Sequence, residues 1–347
     1  MRTAIVILNW NGKAFLEKFL HKVVESLSGI DAEVIVADNA SSDGSVEMLR
    51  EKFPEIRLIL FDRNYGFTGG YNRAFAEITA EYFLLLNSDV EVTDRWLQPL
   101  ISHLDSHPNT AACAPKLLSY HRRNYFEYAG AAGGFIDGYG YPFCRGRILN
   151  TTECDTGQYD TPKYVFWATG AALMLRADLY RKAGGLNELF FAHMEEIDLC
   201  WRLQRMGYRI ANIPASTVYH VGGGALPVDS PRKLYFNYRN NLMMLANNLP
   251  AHRLYTIFIR LILDGISAIA YLLSGRFSYF AAVIKAHYGF FARIPKCIQK
   301  RRKFKSLAIQ SANTGVYRGS IVLKFFISKK SLKFSDLDTT IAETITQ

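Results

Sequence analysis

Residues 1–12, MRTAIVILNWNG, and residues 82–92, YFLLLNSDVEV, are short apolar runs that each end in polar side chains. Thr3–Leu8 reads as a first buried strand. Its apolar run is too short for a signal peptide, and no small-residue cleavage site follows. Between the two runs the pattern alternates. Ala14–Leu27 places Phe15, Leu16, Phe19, Leu20, Val23, Val24 and Leu27 at helical spacing. Glu33–Ala37 is β-like and ends at Asp38. Ser45–Phe53 is predicted helical, with Ser42 or Asp43 available as its cap. Ile56–Phe61 is a third strand, Gly69–Thr79 a helix, and Tyr82–Leu86 a fourth strand ending at Asn87-Ser88-Asp89. Near-continuous apolar strands alternating with helices imply an α/β fold, a parallel sheet covered on both faces. Ligands of such sheets bind outside the carboxyl ends of the strands, where Asn9, Asp38 and Asp89 stand.

Downstream, residues 108–110 and the Gly-rich stretch 130–146 mark loops. Lys163–Arg176 is β-like and Ala177–Ala183 helical. Glu196–Met206 is a helix stopped by Gly207, and Ile210–Asn212 and Thr217–His220 are short extended pieces. From about Pro231 the chain turns helical. Leu254–Leu273 is apolar apart from a stripe of Thr256, Arg260, Asp264, Ser267 and Tyr271. Arg260 and Asp264, four apart, can pair. A lone spanning helix would bury that pair in lipid.

A chain of 347 residues with 49% hydrophobic residues folds around a substantial core. Its five cysteines form no C-x-x-C pair, so a reducing cytoplasm fits better than a disulfide framework or zinc site. The net charge of +10 is concentrated. Between Asp264 and Asp336 lie 14 Lys and Arg and no carboxylate. Such a segment needs a polyanionic partner, nucleic acid or an anionic membrane. The carboxylate-lined sheet edge repels nucleic acid unless a metal intervenes. The aromatic run Phe277–Ile294 followed by KCIQKRRKFK reads as interfacial helices beside a polybasic clamp. The plain alternative is a core helix pair with a solvated basic tail. The expected units are a catalytic domain over residues 1–230, a helical acceptor and membrane-interface region over 231–300, and a basic tail over 301–347.

Three motifs carry chemistry. In GAALMLRADLYRKAGGLNELFFAHMEEIDLCWR, residues 170–202, Glu195, Glu196 and Asp198 follow an apolar approach. Crowded carboxylates there hold a proton more tightly than in water, which suits a general base near neutral pH. The competing reading is an acidic helix start that complements the macrodipole. In LLLNSDVEV, Asp89 suits a hard divalent cation, and in STVYHVGGG, His220 stands beside three glycines as a second ligand. RNYGFTGGYNRAF, with Asn64, Gly66, Gly69, Gly70 and Asn72, opens a helix after a strand, where phosphate-rich ligands sit. Its glycine spacing is not that of a dinucleotide fingerprint, and the chain has no P-loop lysine motif.

The ordered set VILNWNG, VIVADNASSDGS, RNYGFTGGYN, LLLNSDVEV, the 168–203 stretch, VYHVGGG and FNYRNNL resembles the family 2 inverting glycosyltransferases of GT-A fold. It looks most like their bacterial rhamnosyltransferase branch, over roughly Arg2 to Leu249. The resemblance implies a mixed, mostly parallel sheet, a nucleotide-diphosphate-sugar donor (UDP- or dTDP-linked), a divalent metal (Mg or Mn) and a lipid-linked glycan acceptor in surface-polysaccharide assembly. It implies Asn9, Asn11, Asp38, Asn64, Gly66, Gly70, Asn72, Asn87 and Arg239 around the donor, with Arg239 and Asn240 at the family's Arg-Asn position. It implies Asp89 and His220 at the metal and Glu196 as the base. Two departures stand out. The first position of D-x-D is Asn87, and the base is Glu rather than Asp, which leaves Glu195 and Asp198 as substitutes. With the basic helices, this implies a cytoplasmic protein, peripheral on the inner face of the membrane, that binds no nucleic acid. A polyprenyl-phosphate glycosyltransferase and a non-catalytic sugar-nucleotide binder are the alternatives.

Overall fold

The computed structural model describes residues 1–222, 230–312, 314–328 and 331–337. Gly223 and Gly224 of the predicted glycine run, Lys329, Lys330 and residues 338–347 lie outside them. The first part follows the alternation. β1 (Thr3–Asn9), α1 (Lys13–Glu25), β2 (Ala32–Asp38), α2 (Ser45–Lys52), β3 (Arg57–Leu60), α3 (Gly66–Ala76) and β4 (Tyr82–Leu86) succeed one another. β4, β1, β2 and β3 lie side by side and parallel. All five residues of β4 are buried, as a strand covered on both faces requires.

Beyond β4 the sheet becomes mixed. β5 (Val90–Val92), α4 (Leu97–Ser106) and β6 (Thr110–Ser119) follow. The Gly-rich stretch is not a loop. It forms β7 (Gly134–Asp137), β8 (Pro142–Cys144), β9 (Arg147–Ile148) and β10 (Thr151–Thr152), a second small sheet. The β-like run 163–176 divides into β11 (Lys163–Val165) and β12 (Ala172–Arg176). β12 inserts antiparallel between β4 and β6. α5 (Ala177–Lys182) and α6 (Glu195–Arg205) lead to β13 (Arg209–His220), which merges the two predicted extended pieces through a register shift between Ile213 and Thr217. β13 pairs parallel with β6 and antiparallel with β11 and β5.

The C-terminal part is α7 (Pro231–Asn248), α8 (Tyr255–Leu273), α9 (Phe277–Phe291), α10 (Ile294–Lys305), β14 (Val316–Tyr317) and α11 (Ile321–Ile327). The expected tail does not start at 301. α10 crosses that boundary, β14 pairs with β7, and Ile321 is buried with its N–H donated to Asp137.

α8 is turned inside out relative to a soluble core helix. Arg260 is 3% exposed and Asp264 0%, whereas Phe258 is 67% and Leu273 83% exposed. Arg260 donates to Asp264, to Asn241 and to the Tyr139 carbonyl, and lies over the Tyr141 ring. The polar stripe is therefore turned into the protein, with Arg260 Nε and Asp264 Oδ2 left without hydrogen-bond partners, and the apolar stripe faces outward. Residues 251–273 are, among the described residues, the one helix long and apolar enough to cross a membrane.

A glycine at 134 is required by packing. A Cβ there would sit 2.1 Å from the Trp167 ring. Gly134→Ala is expected to destabilise the fold by about 1–3 kcal/mol through overpacking, read as a lower midpoint in thermal or urea unfolding.

Candidate active site

Five chain segments meet at one sheet edge. Asn9 ends β1 and Asp38 ends β2, and Asn87–Asp89 follow β4. Gly170 and Ala171 precede β12, whose first residue, Ala172, pairs with Leu86. His220 ends β13 opposite Val90. Parallel topology carries these ends to one place, and the antiparallel insertion brings the start of β12 to the same place.

On the β1–β2 side, the Asn9 amide donates to Asp38 (2.8 Å) and Ser41 (3.1 Å). Asp38 accepts the Ser41 N–H, and Asn11, at φ 53°, accepts the Ser42 N–H. The buried Asn9 Oδ1 has no hydrogen-bond partner, an acceptor left open at the place where a nucleotide is expected. Asn39 connects this group to the next, donating to Asn64 (3.1 Å) and the Gly66 carbonyl and accepting the Tyr65 N–H.

The glycine motif at α3 serves packing. The Phe67 and Thr68 N–H groups donate to the Phe191 carbonyl, so the first amides of α3 are taken by protein. A Cβ on Gly66 would meet Phe191 at 2.5 Å, and one on Gly70 would meet Leu8 at 2.6 Å. Asn72 bridges α3 to the 186–188 loop through the Leu186 backbone, Tyr180 and Glu188.

Asp89 and His220 are buried side by side, Nε2 to Oδ1 3.1 Å. Glu127 approaches the other ring nitrogen at 3.4 Å. Burial opposes a charged imidazole, but the Glu127 charge and the Asp89 hydrogen bond outweigh it and push the His220 pKa up to about 10. Among the described residues no three His, Cys, Asp or Glu are arranged as a metal cage. Magnesium-type ions are commonly held by one or two protein carboxylates together with substrate phosphates. Here the Asp89–His220 contact is a hydrogen bond to a protonated imidazole, so a shared site of that kind requires His220 to give up its Nε2 proton as the cation arrives. Glu91, two residues on, faces elsewhere, paired with Lys22 and Arg123.

The acidic cluster sits at the first turn of α6, after three left-handed residues, Phe191 (φ 68°), His193 (φ 70°) and Met194 (φ 72°). Such backbone is costly for side-chain-bearing residues and persists only where surroundings enforce it. Here Arg239 and Asn240 of α7 do so. Asn240 Nδ2 lies within hydrogen-bonding distance of the carbonyls of Phe190, Ala192 and His193 (2.7–3.1 Å). Arg239 donates to Phe190 (2.8 Å) and to the Tyr235 hydroxyl. The Arg-Asn pair thus holds the loop that delivers the carboxylates.

One oxygen each of Glu195 and Glu196, and Nε2 of His193, are buried without a partner. Burial drives the Glu196 pKa up to about 7, against its own and Ile197's backbone amides. Burial, with the Glu196 charge added, raises Glu195 well above the usual carboxylate range. Burial beside Lys233 lowers His193 to about 4, so that ring is neutral. A Cβ on Gly170 would lie 3.7 Å from that of Glu196, and Gly170 adjoins Ala171, whose carbonyl accepts the Asn87 N–H. The base candidate is thus near the segment that pairs with the Asn87–Asp89 turn. Asp198 is different. It is fully buried, paired with Arg202 (2.9 Å) and accepting from Asn248 (2.7 Å).

Residues 4–158 match the glycosyl transferase family 2 profile. The chain is 22% identical over 258 residues to the N-acetylglucosaminyl-diphospho-decaprenol L-rhamnosyltransferase of Mycobacterium tuberculosis, covering 70% of this chain and 83% of that one. It is 26% identical over 256 residues to the low-salt glycan biosynthesis hexosyltransferase Agl10 of Haloferax volcanii (71% and 75% covered). Among solved structures it is similar to the mannosyltransferase PcManGT from Pyrobaculum calidifontis in complex with GDP-Man and Mn2+. That match has TM-score 0.52 and 15% identity, and covers 84% of this chain and 87% of that one. It is also similar to S. aureus TarS 1-349 in complex with UDP-GlcNAc (TM-score 0.53, 13% identity, 87% and 92% covered). The fold is GT-A, and residues 4–158 form a glycosyl transferase family 2 domain.

Asn39, Ser41, Glu127 and His193 also belong to the site, and sequence reasoning did not single them out as site residues. For Asn39 and Ser41 the signal was present, in the ADNASS turn directly after Asp38.

Because the folded pKa of Glu196 is raised above its unfolded value, folding takes up a proton between about 4.5 and 7, and stability falls as pH rises through that window. Glu196→Gln removes the penalty. The variant is expected to melt higher than the parent at pH 8 and level with it at pH 4, a difference that calorimetry at the two pH values measures.

Proposed function

We propose that the chain transfers a sugar from a nucleotide-diphosphate donor, UDP- or dTDP-linked, to a hydroxyl of a lipid-linked glycan, with inversion. The observation that carries the reading is Glu196, proton-tuned and with one oxygen unpartnered, beside Gly170 just before β12, the strand whose first residue pairs with the end of β4. The Mycobacterium tuberculosis relative's printed name describes a lipid-diphosphate-linked acceptor, which supports the acceptor class.

In this reading Asn9, Asn11, Asp38 and Asn64, joined through Ser41 and Asn39, receive the nucleoside. Asp89 and His220 would hold a divalent ion, magnesium or manganese, which offsets the charge of the leaving diphosphate when bound. Solved GT-A neighbours with Mn2+ support a metal. Glu196 takes the acceptor hydroxyl proton as that oxygen bonds to the anomeric carbon. The bond from that carbon to the diphosphate oxygen breaks on the opposite face, and the nucleoside diphosphate departs. Glu195, whose proton affinity is raised by burial and by the Glu196 charge, lies beside it in the same first turn of α6. Asp198, engaged with Arg202, supports the α6 turn.

The exposed apolar stripe of α8 and the basic residues after it support peripheral attachment to the cytoplasmic membrane face, where lipid-linked glycans are available. Apolar insertion and headgroup attraction of about 1 kcal/mol per basic residue act together there.

Glu196→Gln is expected to lower turnover roughly 10²–10⁴-fold with donor binding retained, and parent kcat should rise with pH through about 7. An equal loss in Glu195→Gln but none in Glu196→Gln would move the role to Glu195. A donor panel assayed with magnesium or manganese and with chelator tests the metal; undiminished turnover in excess chelator rules it out. The triple variant Phe258→Ser, Ile262→Ser, Ile266→Ser should sediment poorly with anionic vesicles while keeping its melting temperature. Unchanged sedimentation would remove α8 from the membrane contact.

A further inference from the structure

Beside the α6 loop lies a groove of about 470 Å3 that the donor site does not use. Its walls are the first turns of α7, the end of α9 and the start of α10. Arg232, Arg239, Arg293 and Lys296 line it, with the rings of Tyr235 and Phe236 between them. Its one carboxylate, Glu188, turns toward Arg73 and Asn72. Arg293 spends one donor on the Gly289 carbonyl, and Arg232 lies 5.9 Å over the Phe236 ring. Among the described residues none of these four cations forms an ion pair. Burial lowers the pKa of Arg239, and the charge of Arg293 adds to it, so the cations are close enough to repel. Four cations gathered around one cavity favour a multiply charged anion, and arginine forks match phosphate oxygens.

Location narrows the anion. Phe191 lines one end of the groove and stacks on Phe236 at 5.8 Å. The same loop carries His193, Glu195 and Glu196. At the other end, Tyr288 and Phe291, both exposed, stand on the last turns of α9 just before Arg293. α9 packs on α8, whose apolar stripe is exposed. A ligand with its charge in the groove would have one end at the base candidate and the other on an apolar surface.

We propose that this groove binds the diphosphate of a polyprenyl-diphospho-linked acceptor, the sugar reaching Glu196 and the prenyl chain lying along α9 and α8. The inference rests on the glycosyltransferase reading above and names the acceptor's charged subsite. Arg239 has a double position, holding the Phe190 carbonyl and lining the groove; Arg293 and Lys296 line the groove without bonding to the α6 loop.

The test uses the full chain in detergent with farnesyl diphosphate, farnesyl phosphate and farnesol as probes, binding followed by calorimetry. The expected order of affinity is diphosphate, then monophosphate, then alcohol. Arg293→Gln with Lys296→Gln should weaken diphosphate binding roughly ten-fold or more, since charge-assisted hydrogen bonds are lost. The exposed pair Arg302→Gln with Lys303→Gln, removing equal charge outside the groove, should leave it unchanged. Any other probe order, or equal loss in both double variants, overturns the proposal. So does a groove variant that loses only vesicle sedimentation, which would make the groove a bilayer headgroup contact. Nucleotide-sugar hydrolysis without acceptor is measured in parallel. If hydrolysis is present and farnesyl diphosphate fails to bind, the subsite alone is refuted. If no donor is bound or hydrolysed, the glycosyltransferase reading itself fails.

Discussion

The side-chain amide of Asn240 reaches the carbonyls of Phe190, Ala192 and His193, and the site depends on that contact. Three residues of the 191–194 segment have left-handed backbone, a conformation that side-chain-bearing residues resist. Without partners for the carbonyls, the segment would relax toward ordinary φ and carry the start of α6 with it. Arg239 adds a second hold on Phe190, and the Phe191 carbonyl is in turn received by the first amides of α3. One loop therefore ties α7, α3 and α6 together. The price of holding two carboxylates in this dry corner is visible in their elevated proton affinity. That is the usual exchange of stability for function at a catalytic site.

Much of the fold was legible because burial on both sheet faces leaves a plain sequence record. β1, β2 and β4 are built on the apolar runs Ala4–Leu8, Val34–Ala37 and Tyr82–Leu86, and each strand ends within a residue of where its hydrophobicity stops. The second sheet was not legible. Residues 130–146 carry several glycines, and glycine there reads as a loop. In fact Gly134 admits the Trp167 ring, and Gly146, at φ 98°, admits Phe126 as well as turning the chain, so glycine here serves close packing within a sheet and not turns alone. The division of 163–176 into two strands was hidden for a related reason. Phe166, Trp167 and Ala168 are buried, and hydrophobicity alone does not reveal that the chain leaves one strand pairing and joins another.

The site was legible residue by residue but less so in its division of labour. Asp89 with His220, and Asn9 with Asp38, are brought together from distant segments, because strand ends in this topology share an edge. Sequence spacing could not separate Glu196 from Asp198, which differ by two positions on one helix. Packing separates them. Asp198 points to Arg202 and Asn248, while an oxygen of Glu196 has no partner. Likewise Gly66 and Gly70 suggested a phosphate cradle, yet their missing side chains make room for Phe191 and Leu8.

α8 shows the same logic applied to an outer surface. Thr256, Arg260 and Asp264 form a polar stripe on an otherwise apolar helix, whose charged pair a lone spanning helix would bury in lipid. The structure buries the stripe in protein, and each charge finds partners from α7, the 139–141 turn or its own helix. Burying charge is expensive unless pairing and hydrogen bonding are nearly complete. Exposing Phe258, Ile262, Ile266 and Ile269 to water carries a further hydrophobic penalty. Water as the only solvent would favour the opposite rotation of α8 on both counts. A medium that is apolar on one side removes the second cost and makes the first tolerable, since the ion pair then faces protein rather than lipid. The orientation of α8 is thus itself an argument for an apolar partner along this face. The cationic groove lies next to that face, after the end of α9, where the charge of an amphiphilic acceptor would meet Arg239, Arg293 and Lys296.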